Sequence, residues 1–280
     1  MTDLRYWLLL QSIEGIGPKT FKLMLDKYGD PKLAFEAAIS DLQSIPRISQ
    51  KSIEQIQTAG KNLDKIDKIM DDLKQRQIQI ITIQDENYPQ RLNQLSNPPP
   101  IIYLWKNINQ EKSVAIIGTR EASIEGKEKA FAFAGALVKQ GYVIVSGYAK
   151  GIDTSAHLGA IKSQGKTIAV LPTGILKFAV SEELSEVSEQ FLDNAVILSE
   201  FFPLSEWSVG NALMRNRITS VLSDKILVID AGESGGTFNT CEYAKEQSKP
   251  IFIYNGIQSA MDSKIIELGA QSIKNPEEIF

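Results

Sequence analysis

Four stretches of this 280-residue sequence gather glycine, small hydroxyl residues and cations, the side chains and backbone that together hold a phosphate. Gly118, Thr119 and Arg120 follow the apolar run "VAII", and Ser123 stands where a helix cap would fall. Ser146, Gly147, Lys150 and Gly151 sit in "SGYAKGIDTSAH". Arg215, Asn216 and Arg217 form "RNR", and Ser234, Gly235, Gly236 and Thr237 open "SGGTFNTCEYA". Glycine lets the backbone turn and approach a ligand, amides at a helix start point at an anion, and guanidinium forks onto it. The dinucleotide fingerprint G-x-G-x-x-G is absent, because Arg120 stands where its second glycine would be.

Each group also has a plainer reading. Gly118 is a strand-end turn in any doubly wound fold, Arg120 and Lys150 are surface charges, "RNR" is a solvated helix face, and "SGGT" is a helix start without a ligand. His157, inside "DTSAHLGAI", reads as a packed, hydrogen-bonded histidine. The sequence presents no Ser–His–Asp order with a supporting motif, no acidic pair with a clear geometry and no metal-ligand cluster, so neither a catalytic role nor a cofactor is expected. A zinc site is not expected with one cysteine, Cys241, and one histidine. The lone cysteine also excludes an intrachain disulfide and fits a reducing cytoplasm.

The elements that must position these residues are legible as periodicities. From residue 78 onward the runs "IQIITI", "IIYLW", "VAIIG", "YVIVSG", "TIAVLP", "AVILSE", "KILVID" and "PIFIY" read as strands, most of the later ones separated by amphipathic stretches. This pattern predicts an α/β fold, a mostly parallel sheet with helices on both faces. In such a sheet ligands lie beyond the C-terminal strand ends, where the four stretches fall. Residues 1–75 repeat apolar positions every three or four residues and predict a small all-α domain with two helix–turn–helix units, "SIEGIGPKTFKLML" and "QSIPRISQKSIEQI". The two domains are therefore 1–75 and 76–280, with "SNPPP" as a stiff connector into the sheet.

Composition is that of a soluble globular chain, 43% hydrophobic and 23% charged. No membrane-length apolar run and no signal peptide are expected. Residues 1–75 hold 11 basic and 11 acidic side chains, leaving 19 and 23 of the chain's 30 and 34 for the rest. Binding to a polyanion therefore requires a local patch. The seven acidic residues between Lys177 and Arg215 predict that this segment faces away from nucleic acid. The turn "EGIGPK", with Lys19 and Lys22, is a second place where amides and lysines could hold a DNA phosphate.

The ordered set "VAIIGTREAS", "VIVSGYAKGIDTSAH", "GKTIAVLPTGI", "MRNRITSVLS" and "ESGGTFNTCEYA" resembles the DNA-processing protein DprA (Smf) family, and "LQSIEGIGPKTFKLML" and "NYPQRLNQLSNPPPIIYLW" resemble its N-terminal part. The resemblance implies a SAM-like helical domain before an extended Rossmann-like domain. It also implies single-stranded DNA binding at the strand ends, a homodimer, and help in loading RecA during natural transformation. Arg120 matches that family's Gly-x-Arg arginine, Arg215 and Arg217 its Arg-Asn-Arg, and Lys150 replaces the usual arginine before Gly-Ile-Asp. Three departures stand out. "GILKFAVSEELS" replaces a Tyr-Pro-x-x-Asn element, Ala212-Leu213-Met214 replaces Phe-Pro-Arg, and no winged-helix segment is expected after Phe280. Tyr148, Phe178 and Phe238 are the candidate base platforms, and "ILVIDAG" and "IFIYNGI" candidate contributors to the dimer. "GGTFNTCEYA" also resembles the glycine-rich turn of the lysine-decarboxylase-like LOG enzymes. That alternative implies nucleotide binding or N-glycosidic hydrolysis of a nucleoside monophosphate, with Arg217 and Glu242 as the pair.

Overall fold

The structure, a computed structural model, describes residues 3–59, 63–109, 111–233 and 235–280. Backbone contacts divide the chain into two units, one of residues 1–88 and 96–103, the other of 89–95 and 104–280. The first unit contains α1 (Leu4–Gln11), α2 (Pro18–Tyr28), α3 (Pro31–Glu36), α4 (Ile39–Gln43), α5 (Gln50–Ala59) and α6 (Leu63–Gln75). The strand β1 (Gln79–Thr82) and the start of β2 (Ile101–Trp105) belong to it as well. Its helices begin where the sequence supplies caps: Asp3 accepts from the Arg5 amide, Asp30 from the Lys32 amide, and Pro18 and Pro31 occupy first-turn positions. Trp7, Leu8, Leu10, Phe21, Met24, Leu42 and Ile53 are buried in its core, with the Trp7 and Phe21 rings 5.5 Å apart.

The second unit alternates strands and helices. After the end of β2 come β3 (Ser113–Ile117), α7 (Ile124–Lys139), β4 (Val143–Ser146), α8 (Ile152–Lys162), β5 (Thr167–Val170), α9 (Ser188–Asn194) and β6 (Ala195–Ser199). There follow α10 (Val209–Val221), β7 (Lys225–Val228), α11 (Gly235–Glu246), β8 (Ile251–Tyr254), α12 (Asp262–Glu267) and β9 (Gln271–Ile273). The strands run in the order β6-β5-β4-β3-β7-β8-β9, and each neighbouring pair is parallel. From β3 the chain steps outward one way through β4, β5 and β6, then returns to β7 on the other side of β3. Right-handed crossovers in opposite directions place α7 and α8 on one face and α11 on the other. Every residue of β3, β4 and β5 is buried, which is why these strands read as unbroken apolar runs rather than alternations. The strand β9 has no such run. It is three residues long with only Ile273 buried, too short to show a period.

His157 on α8 is fully buried, and its Nδ1 lies 2.7 Å from the Thr167 hydroxyl. That hydroxyl donates to the Ile144 carbonyl at 2.8 Å, so it accepts from His157, and the ring proton sits on Nδ1. Nε2 is buried without a partner among the described residues. Burial, reinforced by the nearby Arg215 charge, pushes the imidazole down to about 3. The unfolded chain therefore takes up a proton below about 6.5 that the folded chain refuses until about 3. Stability should fall steadily as pH drops through that window. Urea unfolding of His157→Gln should show a shallower pH slope there than the parent chain. Identical slopes would show that His157 is not the group responsible.

Candidate nucleic-acid interface

The strand order reverses at β3, and a cavity of about 450 Å³ opens there, beyond the C-terminal ends of β3 and β4. The turn after β3 supplies Gly118, Thr119 and Arg120, the turn after β4 supplies Gly147 and Ala149, and the start of α11 supplies Gly235, Gly236 and Thr237. The helix α10 forms one wall through Ala212, Leu213, Arg215, Asn216 and Thr219. Positions 212, 215, 216 and 219 follow the i, i+3, i+4, i+7 spacing of a single helix face.

Close approach governs the glycines. A Cβ on Gly118 would lie 2.5 Å from the Ile152 side chain and 2.6 Å from the Asp230 carbonyl. At Gly147 it would lie 1.7 Å from Arg215 Nη1, because the guanidinium rests directly on that backbone. Gly151 turns the chain into α8 at φ 83°, a conformation costly for any other residue.

Arg215 is buried, and its Nη1 donates to the Val170 carbonyl at 2.9 Å while Nε has no partner among the described residues. Burial pushes it down to about 10, against the opposing charge of Asp153, so it remains cationic at neutral pH. Asp153, on the same cavity wall, is raised by burial, partly offset by Arg215 and by the hydrogen bond from the Ala149 amide. Arg120 is exposed at the rim, with its guanidinium 5.3 Å from the centroid of the Trp207 ring. Asn216 donates to the Gly236 carbonyl at 3.1 Å and to Asn239 Oδ1 at 3.3 Å, which ties α10 to the start of α11.

The sequence model of the family described as DNA recombination-mediator protein A matches residues 79–280. This chain belongs to that family. A second model, a SAM-like helix-hairpin-helix tandem, matches residues 8–59. The Smf protein of Synechocystis is 32% identical over 253 residues, 88% of this chain and 63% of the relative. The chain thus spans less than two thirds of that relative's length. The DNA processing protein DprA of Bacillus subtilis is 28% identical, over 90% of this chain and 86% of its own. The solved DNA processing protein A of Streptococcus pneumoniae shares the fold, with a TM-score of 0.78 over 100% of this chain and 98% of its own at 24% identity. DNA processing protein A of Helicobacter pylori, described for its single-stranded DNA binding mode, is 29% identical. Its TM-score is 0.62, over 72% of this chain and 94% of its own.

Of the residues expected to meet a phosphate, Gly118, Thr119, Arg120, Gly147, Arg215, Asn216, Gly235, Gly236 and Thr237 line the cavity. Others do not. Arg217 is two residues from Arg215, hence about 200° around α10. It points into the core, where it forms a buried ion pair with Glu200 at 2.5 Å. Ser146 lies under the sheet edge and donates to the Ile116 carbonyl at 2.6 Å. Ser123 caps α7 by accepting from the Gly126 amide at 3.0 Å. Gly151 turns the chain but does not line the cavity, and Lys150 is exposed beside it. Ser234 lies outside the described residues. The Thr119 amide already donates to the Asp230 carbonyl at 2.7 Å.

The proposed base platforms are corrected too. Tyr148 packs between the Phe178 and Phe191 rings, and its hydroxyl donates to the Ala179 carbonyl and accepts from the Ser181 amide. Phe178 also packs on Trp105, and Phe238 is half-buried off the cavity lining. The acidic segment before Arg215 does not turn away as a whole: Trp207, Val209, Ala212 and Leu213 line the cavity. Two of its carboxylates, Glu200 and Glu206, are neutralised by Arg217 and Lys177. Trp207 and Asp153 are not among the candidates the sequence offers, although a tryptophan isolated in the polar turn "FPLSEWSVG" breaks every core periodicity.

In the first unit the hairpin turn is engaged at Glu14. The Glu14 amide donates to Gln55 Oε1 at 3.1 Å, Ser52 Oγ donates to the Glu14 carbonyl at 2.8 Å, and Lys51 pairs with Glu14 at 2.6 Å. Lys22 pairs with Asp26.

Removing Arg217 would take the ion-pair partner from the buried Glu200 carboxylate. Arg217→Ala should therefore cost about 3–5 kcal/mol of folding stability, read as a lowered urea midpoint. A midpoint unchanged from the parent would place Arg217 outside the core it is assigned to.

Proposed function

We propose that this chain binds single-stranded DNA at the cavity beyond β3 and β4, holding phosphates without cleaving the strand. The observation that carries this reading is Arg215, a buried guanidinium with an unpartnered Nε, set in a glycine-lined cavity below the exposed Arg120. An anion entering this space would meet two cations and the first-turn amides of α11, which no helical partner can satisfy. Asp153 is the counterweight: it keeps Arg215 charged while limiting the positive field.

The family membership supports a role in recombination, and the H. pylori relative supports a single strand as the ligand. On that basis the chain would protect incoming single strands and help load RecA, as a homodimer in a reducing cytoplasm. Among the described residues no helix is long and apolar enough to cross a membrane. The hydrolase reading needs Arg217 and Glu242 in the cavity. Arg217 is held by Glu200, and Glu242 is exposed and off the lining. Residues 1–75 would serve position or partner contact, since the Glu14 amide and Lys22 of the first hairpin are engaged within the unit.

Arg120→Ala should weaken oligo(dT) binding about tenfold or more with no loss of stability, the effect of one charge-assisted contact of about 1.5–3 kcal/mol. With Arg120 and Arg215 at the cavity and the exposed Lys150 close in sequence to its lining, the log–log slope of affinity against salt should be roughly −2, at about 0.7 per phosphate. A folded Arg120→Ala with parental affinity, or a slope near zero, would rule out this cavity as the phosphate site.

A further inference from the structure

The cavity rim is unusual in pairing its outermost cation with exposed apolar side chains. Trp207 is 48% exposed, Val209 61% and Leu213 38%, and all three line the same cavity as Arg120. Trp207 is the one aromatic among the described lining residues. Its ring carries the Arg120 guanidinium at 5.3 Å, yet nearly half of the residue stays open to solvent. An exposed tryptophan of this kind is not core, and its indole is large, flat and cheap to immobilise.

The segment that presents it is fixed at both ends. The Gly174 amide donates to the Ser205 carbonyl at 2.9 Å, and the Ser205 amide donates to the Phe202 carbonyl at 2.8 Å. Glu206 is ion-paired with Lys177, and Ser208 caps α10 by accepting from the Asn211 amide at 3.0 Å. The indole is thus held on an anchored strap rather than on a free loop.

We propose that Trp207 is a base-stacking platform at the cavity rim, taking the face of a nucleobase while Arg120 beside it takes the adjoining phosphate. The inference rests on the single-stranded DNA reading above. Apolar rim and cation together match the two halves of a nucleotide, an aromatic face and an anion, and stacking on an indole tolerates any base.

The test uses the full chain, oligo(dT), and an abasic strand of equal length and charge. Tryptophan emission should be quenched by oligo(dT), because Trp7 is fully buried and Trp105 half-buried, leaving Trp207 as the exposed reporter. Trp207→Ala should lose about tenfold in affinity for oligo(dT), or 1.4 kcal/mol, and less than about twofold for the abasic strand. Trp207→Phe should stay within about threefold of the parent on both. Parental oligo(dT) affinity in Trp207→Ala would overturn the stacking role and leave the DNA site standing. Equal losses on both strands would show that Trp207 acts only by holding Arg120, which also overturns it. A parent chain that binds neither strand would overturn the DNA reading, and this inference with it.

Discussion

The site depends on one seat: the Arg215 guanidinium lying against the backbone at Gly147. Nothing larger than hydrogen fits between them, since a Cβ at that position would be 1.7 Å from Nη1. The seat is completed by the Val170 carbonyl, which accepts from Nη1, and by Asp153, whose charge keeps the buried guanidinium ionised. A buried cation is costly unless something nearby compensates it. Here the compensation is partial, since Nε has no partner among the described residues.

Fold and site are coupled through the strand order. The reversal at β3 separates the turns after β3 and β4 from the start of α11, and α10 crosses from β6 back to β7 to close the gap. The helix α10 then does two jobs on opposite faces. One face carries Ala212, Arg215, Asn216 and Thr219 to the cavity; the other buries Arg217 against Glu200. The ion pair fixes the rotation of the helix, and so aims Arg215.

Much of this was legible in the sequence. The strands from β1 to β8 stand out as Ile- and Val-rich runs, and Ser123 marks the start of α7. Gly118, Gly147 and Arg215 fall at strand ends or on the helix that faces them, where the doubly wound pattern places a ligand. What misled was chemistry read without angle. "RNR" looks like two equivalent cations, but residues two apart on a helix face opposite ways. Ser146 looks like a phosphate ligand, but the last residue of a central strand lies under the sheet edge and its hydroxyl is taken by a neighbouring carbonyl. Tyr148 and Phe178 look like platforms, but they close an aromatic cluster with Phe191. Trp207 belongs to no periodicity, and that exclusion is itself the signal.

The most direct test of the account is the substitution Gly147→Ala. Gly147 is not among the positive-φ glycines, so the backbone accepts alanine, and the three atoms nearest the added methyl all belong to the guanidinium. The flexible arginine would move and the fold would survive. The account predicts a chain with parental circular dichroism and an oligo(dT) affinity at least about tenfold weaker, comparable to Arg215→Ala. A folded Gly147→Ala chain that binds oligo(dT) as tightly as the parent would contradict it, because the strand would then not depend on where Arg215 sits.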